Sequence, residues 1–122
     1  MIECDLKQCP CGDRCLNQRF QRREEVRDLG VVWTGARGYG LLTKVQIPKA
    51  RLILEYRGEI ISSEMCRERM TVDYRDHEHY YFLDYDGGEV IDGTTRGTEA
   101  RFVNHSCNPN CHIEKWCVIT FP

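Results

Sequence analysis

The chain has 122 residues, of which 41% are hydrophobic and 30% are charged, and its net charge is -2. This composition is typical of one folded domain rather than of a disordered segment. The longest apolar runs fall far short of the roughly 20 residues that span a bilayer, and no signal peptide opens the sequence, so we expect no membrane partner. Residues 1–50 are slightly basic and residues 51–122 slightly acidic. The first half could face nucleic acid and the second a basic peptide, although ordinary solvated surfaces explain the difference equally well.

Four of the eight cysteines lie within the first fifteen residues, in a segment with few apolar side chains. Such a segment cannot fold by burial, whereas thiolate ligation of a tetrahedral zinc ion supplies folding energy directly. Pro10 and Gly12 allow sharp turns between neighbouring ligands. A disulfide pair or free thiols are the alternatives. The segment predicts a zinc site drawn from Cys4, Cys9, Cys11 and Cys15.

A charged connector over residues 22–30 precedes a short predicted strand at residues 31–33. Arginines in and just before this connector could contact DNA phosphates, although such runs are usually only a solubilising surface. These arginines are Arg19, Arg22, Arg23 and Arg27.

Next comes Arg37-Gly38-Tyr39-Gly40, in which two glycines flank an aromatic ring. The pattern favours close backbone approach to a ligand with the ring as a stacking surface, and a hairpin turn explains it equally well. Further along, residues 52–56 predict a buried strand, and Ser62 or Ser63 predicts the N-cap of a helix that runs to about Tyr74.

The segment 80–85 is β-prone, and Asp86-Gly87-Gly88 turns it back into a second strand at residues 89–92, which predicts a hairpin. Three aromatic residues in a row follow His79. Cross-strand packing accounts for at least one of these rings.

The most distinctive stretch runs from Arg101 to Cys111 and reads RFVNHSCNPNC. Its start, at Phe102 and Val103, predicts a strand, and Pro109 excludes a helix further on. The dense run of amide, imidazole, hydroxyl and thiol groups is suited to binding a small polar ligand. A simple Asn/Ser/Pro turn is the alternative.

This stretch resembles the Arg-Phe-x-Asn-His-Ser-Cys-x-Pro-Asn signature of SET-domain lysine methyltransferases. Residues 1–21 look like the second half of the AWS region (associated with SET) that precedes the SET domain in one subgroup, which methylates histone H3 at the lysine-thirty-six mark. The resemblance implies a mostly β fold, with β-clip-like small sheets and one short helix. It also implies S-adenosylmethionine as methyl donor, zinc, the histone H3 tail and nucleosome as partners, and a nuclear, chromosomal location.

The family pattern assigns roles to individual residues of this chain. By resemblance Asn104 binds the methionyl ammonium of the donor, the backbone of His105 contacts its adenine, and Tyr81 and Phe82 line the lysine channel. Cys4, Cys9 and Cys15 are the family-type zinc ligands, Cys11 is an extra thiol for the fourth position, and Cys107 would join a later post-SET zinc. The predicted cofactor-binding residues are Arg37, Gly38, Tyr39, His79, Tyr80, Arg101, Asn104 and His105.

In the family, the catalytic tyrosine lies beyond the position that corresponds to Pro122. We therefore expect residues 31–122 to form the first two-thirds of a SET domain, and the chain to be an incomplete version of the enzyme. On this interpretation the chain comes from a histone-lysine methyltransferase. A catalytically inactive chromatin-binding fragment is the alternative, and a zinc-dependent nucleic-acid binder is a weaker one.

Overall fold

The computed structural model describes residues 1–77 and 80–118, so His79 lies outside the described residues. The described residues form short strands in three small sheets and one α-helix, as the mostly β prediction requires. The strands are β1 (Ile2–Glu3), β2 (Leu29–Trp33), β3 (Tyr39–Thr43), β4 (Glu59–Ser62), β5 (Phe82–Asp84), β6 (Glu89–Asp92) and β7 (Cys117–Val118). Helix α1 (Ser63–Glu68) continues into a π-helical turn (Arg69–Asp73), and 3-10 turns cover Gly12–Arg14 and Glu99–Phe102. None of the helices in the described ranges is long and apolar enough to cross a membrane.

The chain divides into two compact units, each described here by itself. Unit 1 comprises Met1–Arg27, Pro48–Ile53 and the described part of His105–Pro122. Unit 2 comprises Asp28–Ile47 and Leu54–Asn104, apart from the two residues that are not described.

Unit 1 depends on polar contacts more than on an apolar core. Strands β1 and β7 pair in parallel, with Ile2 opposite Cys117. The side chains of Glu3 and Gln18 are each 1% exposed. The Glu3 carboxylate accepts the Phe20 amide at 2.7 Å, and Gln18 Nε2 donates to the Asp5 carbonyl at 3.2 Å. These buried polar groups stay stable because hydrogen bonds replace the water that they lose.

Unit 2 contains the two antiparallel sheets. Strand β2 pairs with β3, and the second sheet has the order β4-β6-β5. The hairpin of β5 and β6 confirms the prediction from the Asp-Gly-Gly turn. Helix α1 begins where expected, because the Ser62 hydroxyl accepts the Met65 amide at 3.2 Å and satisfies a free helix N–H group. The buried apolar side chains of this unit are Ile61, Tyr74, Val90, Ile91 and Ala100.

Two predicted strands are wrong. Residues 52–56 are half-buried but join no ladder. Their backbone groups find other partners, since the Ile53 carbonyl accepts the Val26 amide at 2.7 Å and the Glu55 carbonyl accepts the Thr98 hydroxyl at 2.7 Å. The predicted strand at Phe102 and Val103 is instead the end of the 3-10 turn that begins at Glu99, closed by a bond from the Val103 amide to the Ala100 carbonyl.

Candidate functional site

The glycine-rich loop and the start of the signature stretch meet in unit 2. Asn104 Nδ2 donates to the Tyr39 carbonyl oxygen at 3.3 Å, across 65 residues of sequence. A Cβ atom on Gly40 would lie 2.8 Å from Thr34 Cγ2 and 3.1 Å from Asn104 Nδ2, so only glycine allows this approach. Gly38 has a φ of +70°, and its carbonyl accepts both the amide and the hydroxyl of Thr34. The loop is thus a hairpin turn whose close backbone contact is with Asn104, and the approach of a ligand to it stays a prediction.

Four aromatic rings, here called the Tyr39 cluster, lie beside this contact. The Tyr39 ring packs edge to face against Trp33 at 5.2 Å and against Phe102 at 6.0 Å between centroids. Phe102 in turn packs against Tyr81 at 5.4 Å. Such edge-to-face pairs stabilise a defined ring geometry. The structure therefore brings the predicted cofactor-loop ring and one predicted channel ring into the same cluster.

Arg101 lies over the Tyr39 cluster. Its guanidinium carbon is 4.8 Å from the Phe102 ring centroid and 5.8 Å from that of Tyr81, within cation–π range. Its Nη1 donates to the Gly93 carbonyl at 3.0 Å, whereas its buried Nε has no partner among the described residues. A buried donor without a partner costs free energy unless a ligand accepts from it. This arrangement suits an anionic or carbonyl-bearing ligand group.

A second group of rings, the Tyr74 cluster, contains Tyr74, His77, Tyr80 and Phe82. Tyr80 and Phe82 stack at 6.1 Å, and Tyr74 packs against both, at 6.3 Å and 6.1 Å. Successive side chains of an extended chain point to opposite sides, so Tyr81 joins one cluster while its two neighbours join the other. The two predicted channel residues, Tyr81 and Phe82, thus lie in different clusters. Their roles stay a prediction.

A buried carboxylate that the sequence interpretation missed connects with both clusters. The Asp92 side chain is 1% exposed, and its Oδ2 accepts from Arg69 Nη1 and from the Tyr74 hydroxyl, each at 2.8 Å. Its Oδ1 accepts the Thr94 amide at 2.9 Å, and the Thr94 hydroxyl accepts the Tyr81 amide at 3.2 Å. The signal in the sequence is an acidic residue that ends an apolar strand just before a Gly-Thr pair.

The Asp92 carboxylate stays ionised despite its burial. Burial alone would raise the pKa of Asp92, but the Thr94 amide, the Arg69 guanidinium and the two hydroxyl donors outweigh it and hold the pKa below its ordinary value. Arg69 also bonds the Glu59 carboxylate through both of its terminal nitrogens, at 2.9 Å and 3.0 Å, and this contact lowers the pKa of Glu59.

The first three family-type cysteines converge in unit 1. The Sγ atoms of Cys4, Cys9 and Cys15 all lie within 4.8 Å of one another. Ligands of a tetrahedral zinc at about 2.3 Å are about 3.8 Å apart, so small side-chain adjustments fit them to the ion. The thiols are placed by the 3-10 turn at Gly12–Arg14 and by a bond from the Cys4 amide to the Asn17 carbonyl at 3.0 Å.

Cys11 is exposed and lies beside Cys9 but outside this mutually close group. Its backbone amide bonds the Cys9 sulfur and lowers the pKa of Cys9, while the charge of Cys9 raises the pKa of Cys11. All eight cysteines are free thiols, so the alternative of a disulfide pair is wrong for this structure. The chemistry of the cluster suits a soft divalent metal.

The remaining predicted residues are not members of the two ring clusters or of the cysteine group. Exposed His105 belongs to unit 1, where its Nε2 is 3.8 Å from the Cys107 sulfur. Arg37 is exposed in the turn between β2 and β3. Of the predicted DNA contacts, Arg19 donates to the Ala50 carbonyl at 2.9 Å and stacks on Trp116.

Arg22 is also bound within unit 1, since it donates to the Gln18 side chain at 2.6 Å and to the carbonyls of Gly12 and Asp13. The other two arginines of the predicted DNA contact, Arg23 and Arg27, are exposed. Arg19 and Arg22 thus make contacts within the protein, so these two side chains do more than solubilise the surface.

Comparison with known proteins identifies the family of the chain. Residues 38–121 match the family model described as "SET domain", and residues 1–23 match "AWS domain". The chain belongs to the SET-domain family, and it carries an AWS domain at its start. The resemblance seen in the signature stretch is thereby confirmed.

Curated relatives cover nearly all of the chain. It is 43% identical over 116 residues to the fruit-fly (Drosophila melanogaster) protein "Histone-lysine N-methyltransferase ash1", with 95% of this chain and 5% of that protein aligned. Proteins named "Histone-lysine N-methyltransferase, H3 lysine-36 specific" from Eremothecium gossypii and Coccidioides immitis are 48% and 44% identical, over 97% and 96% of this chain. The chain spans 17% and 12% of the length of those two relatives.

Proposed function

We propose that this chain is the methyl-donor-binding part of a histone-lysine methyltransferase, which transfers a methyl group from S-adenosylmethionine to the lysine-36 position of histone H3. The observation that carries the proposal is the bond between Asn104 and the Tyr39 carbonyl, which joins the loop and the signature stretch at Gly40. The names of the relatives support the histone substrate.

The residues around this contact fit the proposed cofactor. The donor carries a carboxylate, an ammonium group and an adenine ring. The buried Arg101 Nε, which lacks a partner among the described residues, would meet the carboxylate, and the Asn104 side-chain oxygen would accept from the ammonium group. Bound there, S-adenosylmethionine supplies an electrophilic methyl group. The residues proposed to hold it are Arg37, Gly38, Tyr39, Tyr80, Arg101, Asn104 and His105, with His79 outside the described part.

The protein's own contribution is to orient the lysine and to favour its neutral amine, with the proton of the ammonium released to bulk water. Tyr81 and Phe82 are half-buried aromatic residues. Aromatic walls exclude water, and desolvation lowers the pKa of a lysine ammonium, so the nitrogen becomes a nucleophile. Their ring faces still accept a methylated, cationic product.

The AWS segment completes the proposal. Cys4, Cys9 and Cys15 would hold a zinc ion, with Cys11 as the fourth ligand, and Cys107 would serve a later zinc. The proposed organisation is an AWS segment over residues 1–21, a connector over residues 22–30 and SET-domain sequence from residue 31. The partners are the H3 tail and the nucleosome in the nucleus, with DNA phosphates met by the arginines of residues 19–27.

The decisive experiment uses the complete gene product, reconstituted nucleosomes and radiolabelled methyl donor. We expect label on histone H3, and none when arginine replaces the lysine-36 position. Label on another residue would refute the proposed target. Calorimetric binding of the donor without methyl transfer would instead favour the non-catalytic chromatin-binding module, and neither binding nor transfer would refute the proposal altogether.

A further inference from the structure

The buried Asp92 carboxylate divides its two oxygens between the two aromatic clusters. Through Oδ2 it accepts the hydroxyl of Tyr74, whose ring packs against Tyr80 and Phe82. Through Oδ1 it accepts the amide of Thr94, whose hydroxyl accepts the Tyr81 amide.

The Gly93–Thr94 pair is the point at which Tyr81 is tied to β6. The Gly93 amide donates to the Tyr81 carbonyl at 2.8 Å, so the two backbone hydrogen-bonding groups of Tyr81 both bond to this pair. Arg101, over the Tyr81 ring, donates to the Gly93 carbonyl. Thr94 in turn depends on the carboxylate that accepts its amide.

We infer that Asp92 is a positioning residue that places the two clusters independently, Tyr81 through Thr94 and Tyr80 through Tyr74. The inference rests on the proposed function, in which Tyr80 contacts the methyl donor and Tyr81 lines the lysine channel. Asp92 thus sets donor affinity by one oxygen and lysine affinity by the other.

A purely structural role explains the arrangement less well. A buried carboxylate is expensive, and apolar side chains of similar volume often replace buried ion pairs without loss of stability. Arg69 does not require Asp92 as its partner, because it already bonds both oxygens of Glu59. What Asp92 alone provides is a pair of acceptors aimed at Tyr74 and Thr94.

The test measures donor affinity by calorimetry and the H3-peptide KM by methyl transfer, in the complete gene product. Thr94→Val keeps the side-chain size but removes the hydroxyl, and we expect the peptide KM to rise about fivefold, the effect of one lost hydrogen bond, with donor affinity unchanged. Tyr74→Phe keeps the ring, and we expect donor affinity to fall about fivefold with the peptide KM unchanged. Asp92→Asn should change both.

Two variants serve as controls. Thr94→Ser restores the hydroxyl and should restore the peptide KM. Glu59→Gln removes the other partner of Arg69 without touching either cluster, and should leave both parameters within about twofold of wild type, since exposed ion pairs contribute little. The inference is wrong if Thr94→Val and Tyr74→Phe change both parameters alike, or neither.

Hydrogen exchange at the Tyr81 amide provides a readout that needs no methyl donor. We expect faster exchange in Thr94→Val and wild-type exchange in Thr94→Ser and Glu59→Gln. If the wild type transfers no methyl group but shows this exchange pattern, the proposed function fails and the positioning by Asp92 stands. If it does transfer and the exchange is the same in all variants, the positioning fails alone.

Discussion

The side-chain nitrogen of Asn104 and the carbonyl oxygen of Tyr39 lie 3.3 Å apart, with Gly40 beneath them. This one bond closes the loop between β2 and β3 onto the signature stretch. Because Asn104 is exposed, water competes for the bond, and its net contribution to stability is small. The geometry of the bond depends on the space that Gly40 leaves free.

Gly40→Ala tests that dependence. The new methyl group would lie 2.8 Å from Thr34 Cγ2 and 3.1 Å from Asn104 Nδ2, so one of the two must move. We expect a loss of about 1–3 kcal/mol in the free energy of unfolding and about a tenfold loss of methyl-donor affinity. Thermal unfolding and calorimetry measure the two effects.

Gly30→Ala is the matched control, because Gly30 lies in the same hairpin and its added methyl group meets only the flexible end of Lys44. It should retain donor affinity within about twofold, since a side-chain end can move away at little cost. Equal losses in both variants would show that the hairpin, rather than the Asn104 contact, is what alanine disturbs.

From the cysteine cluster we predict that the purified chain contains zinc, and that its zinc content depends on Cys9. In unit 1, Cys15 is the one buried apolar side chain among the described residues, so we expect the proposed metal ligation to add to the folding energy of its polar contacts. Cys9→Ser should lower zinc to less than about half an ion per chain, measured by atomic emission. Cys117→Ser, a change of an exposed thiol in β7, should leave the metal content as in wild type. Zinc retained in Cys9→Ser would exclude the proposed ligand set.

We expect the stability of the AWS segment to depend on Glu3. Its carboxylate is 1% exposed and accepts the Phe20 amide at 2.7 Å and Gln21 Nε2 at 3.1 Å. Glu3→Ala removes the acceptor of the part-buried Phe20 amide and leaves Gln21 Nε2 with the Cys4 carbonyl. We expect a loss of about 1–3 kcal/mol, measured as a lower urea midpoint for proteolysis of residues 1–27. Glu24→Ala, at a half-buried carboxylate of the same unit, should cost less than about 1 kcal/mol. Similar losses for the two would argue against the Glu3 contacts.

Because of Asp92, we expect the free energy of unfolding to depend on pH in the acidic range. Its folded-state pKa lies below the unfolded value of about 3.9, so the folded state binds this proton less readily than the unfolded chain does. The contribution is therefore complete above about pH 4 and is lost as the pH falls toward the folded-state pKa.

Urea unfolding of wild type and Asp92→Asn, between about pH 5 and pH 3, measures this contribution. We expect Asp92→Asn to be less stable at pH 5 by about 1–3 kcal/mol, because the Tyr74 hydroxyl and the Thr94 amide lose a charged acceptor, whereas Arg69 keeps Glu59. The difference should shrink as the pH falls. Any metal that the cysteine cluster loses in acid would be lost by both proteins, since their cysteines are the same. A constant difference over this range would contradict the assignment.

Local signals explain why parts of the fold were predictable. The Ser62 hydroxyl meets the Met65 amide three residues on, and the Asp86-Gly87-Gly88 turn closes the β5–β6 hairpin with positive φ at both glycines. These features depend on groups within a few residues of one another, so the residue types alone favour them. Residues 52–56 have equally strong strand propensity but form no strand, because a strand also needs a neighbouring strand to pair with.

By itself, the sequence determined the family and the cysteine cluster, since both depend on residue type and short spacing. The donor-binding residues that it indicates stay a prediction. Only the tertiary structure decided how the site is divided. It separated Tyr81 from Tyr80 and Phe82, and it buried Asp92 between the two clusters. Contacts such as those of Asp92 with Arg69 and Tyr74 join residues 23 and 18 positions apart. No local preference specifies them, because they form only when packing brings distant segments together.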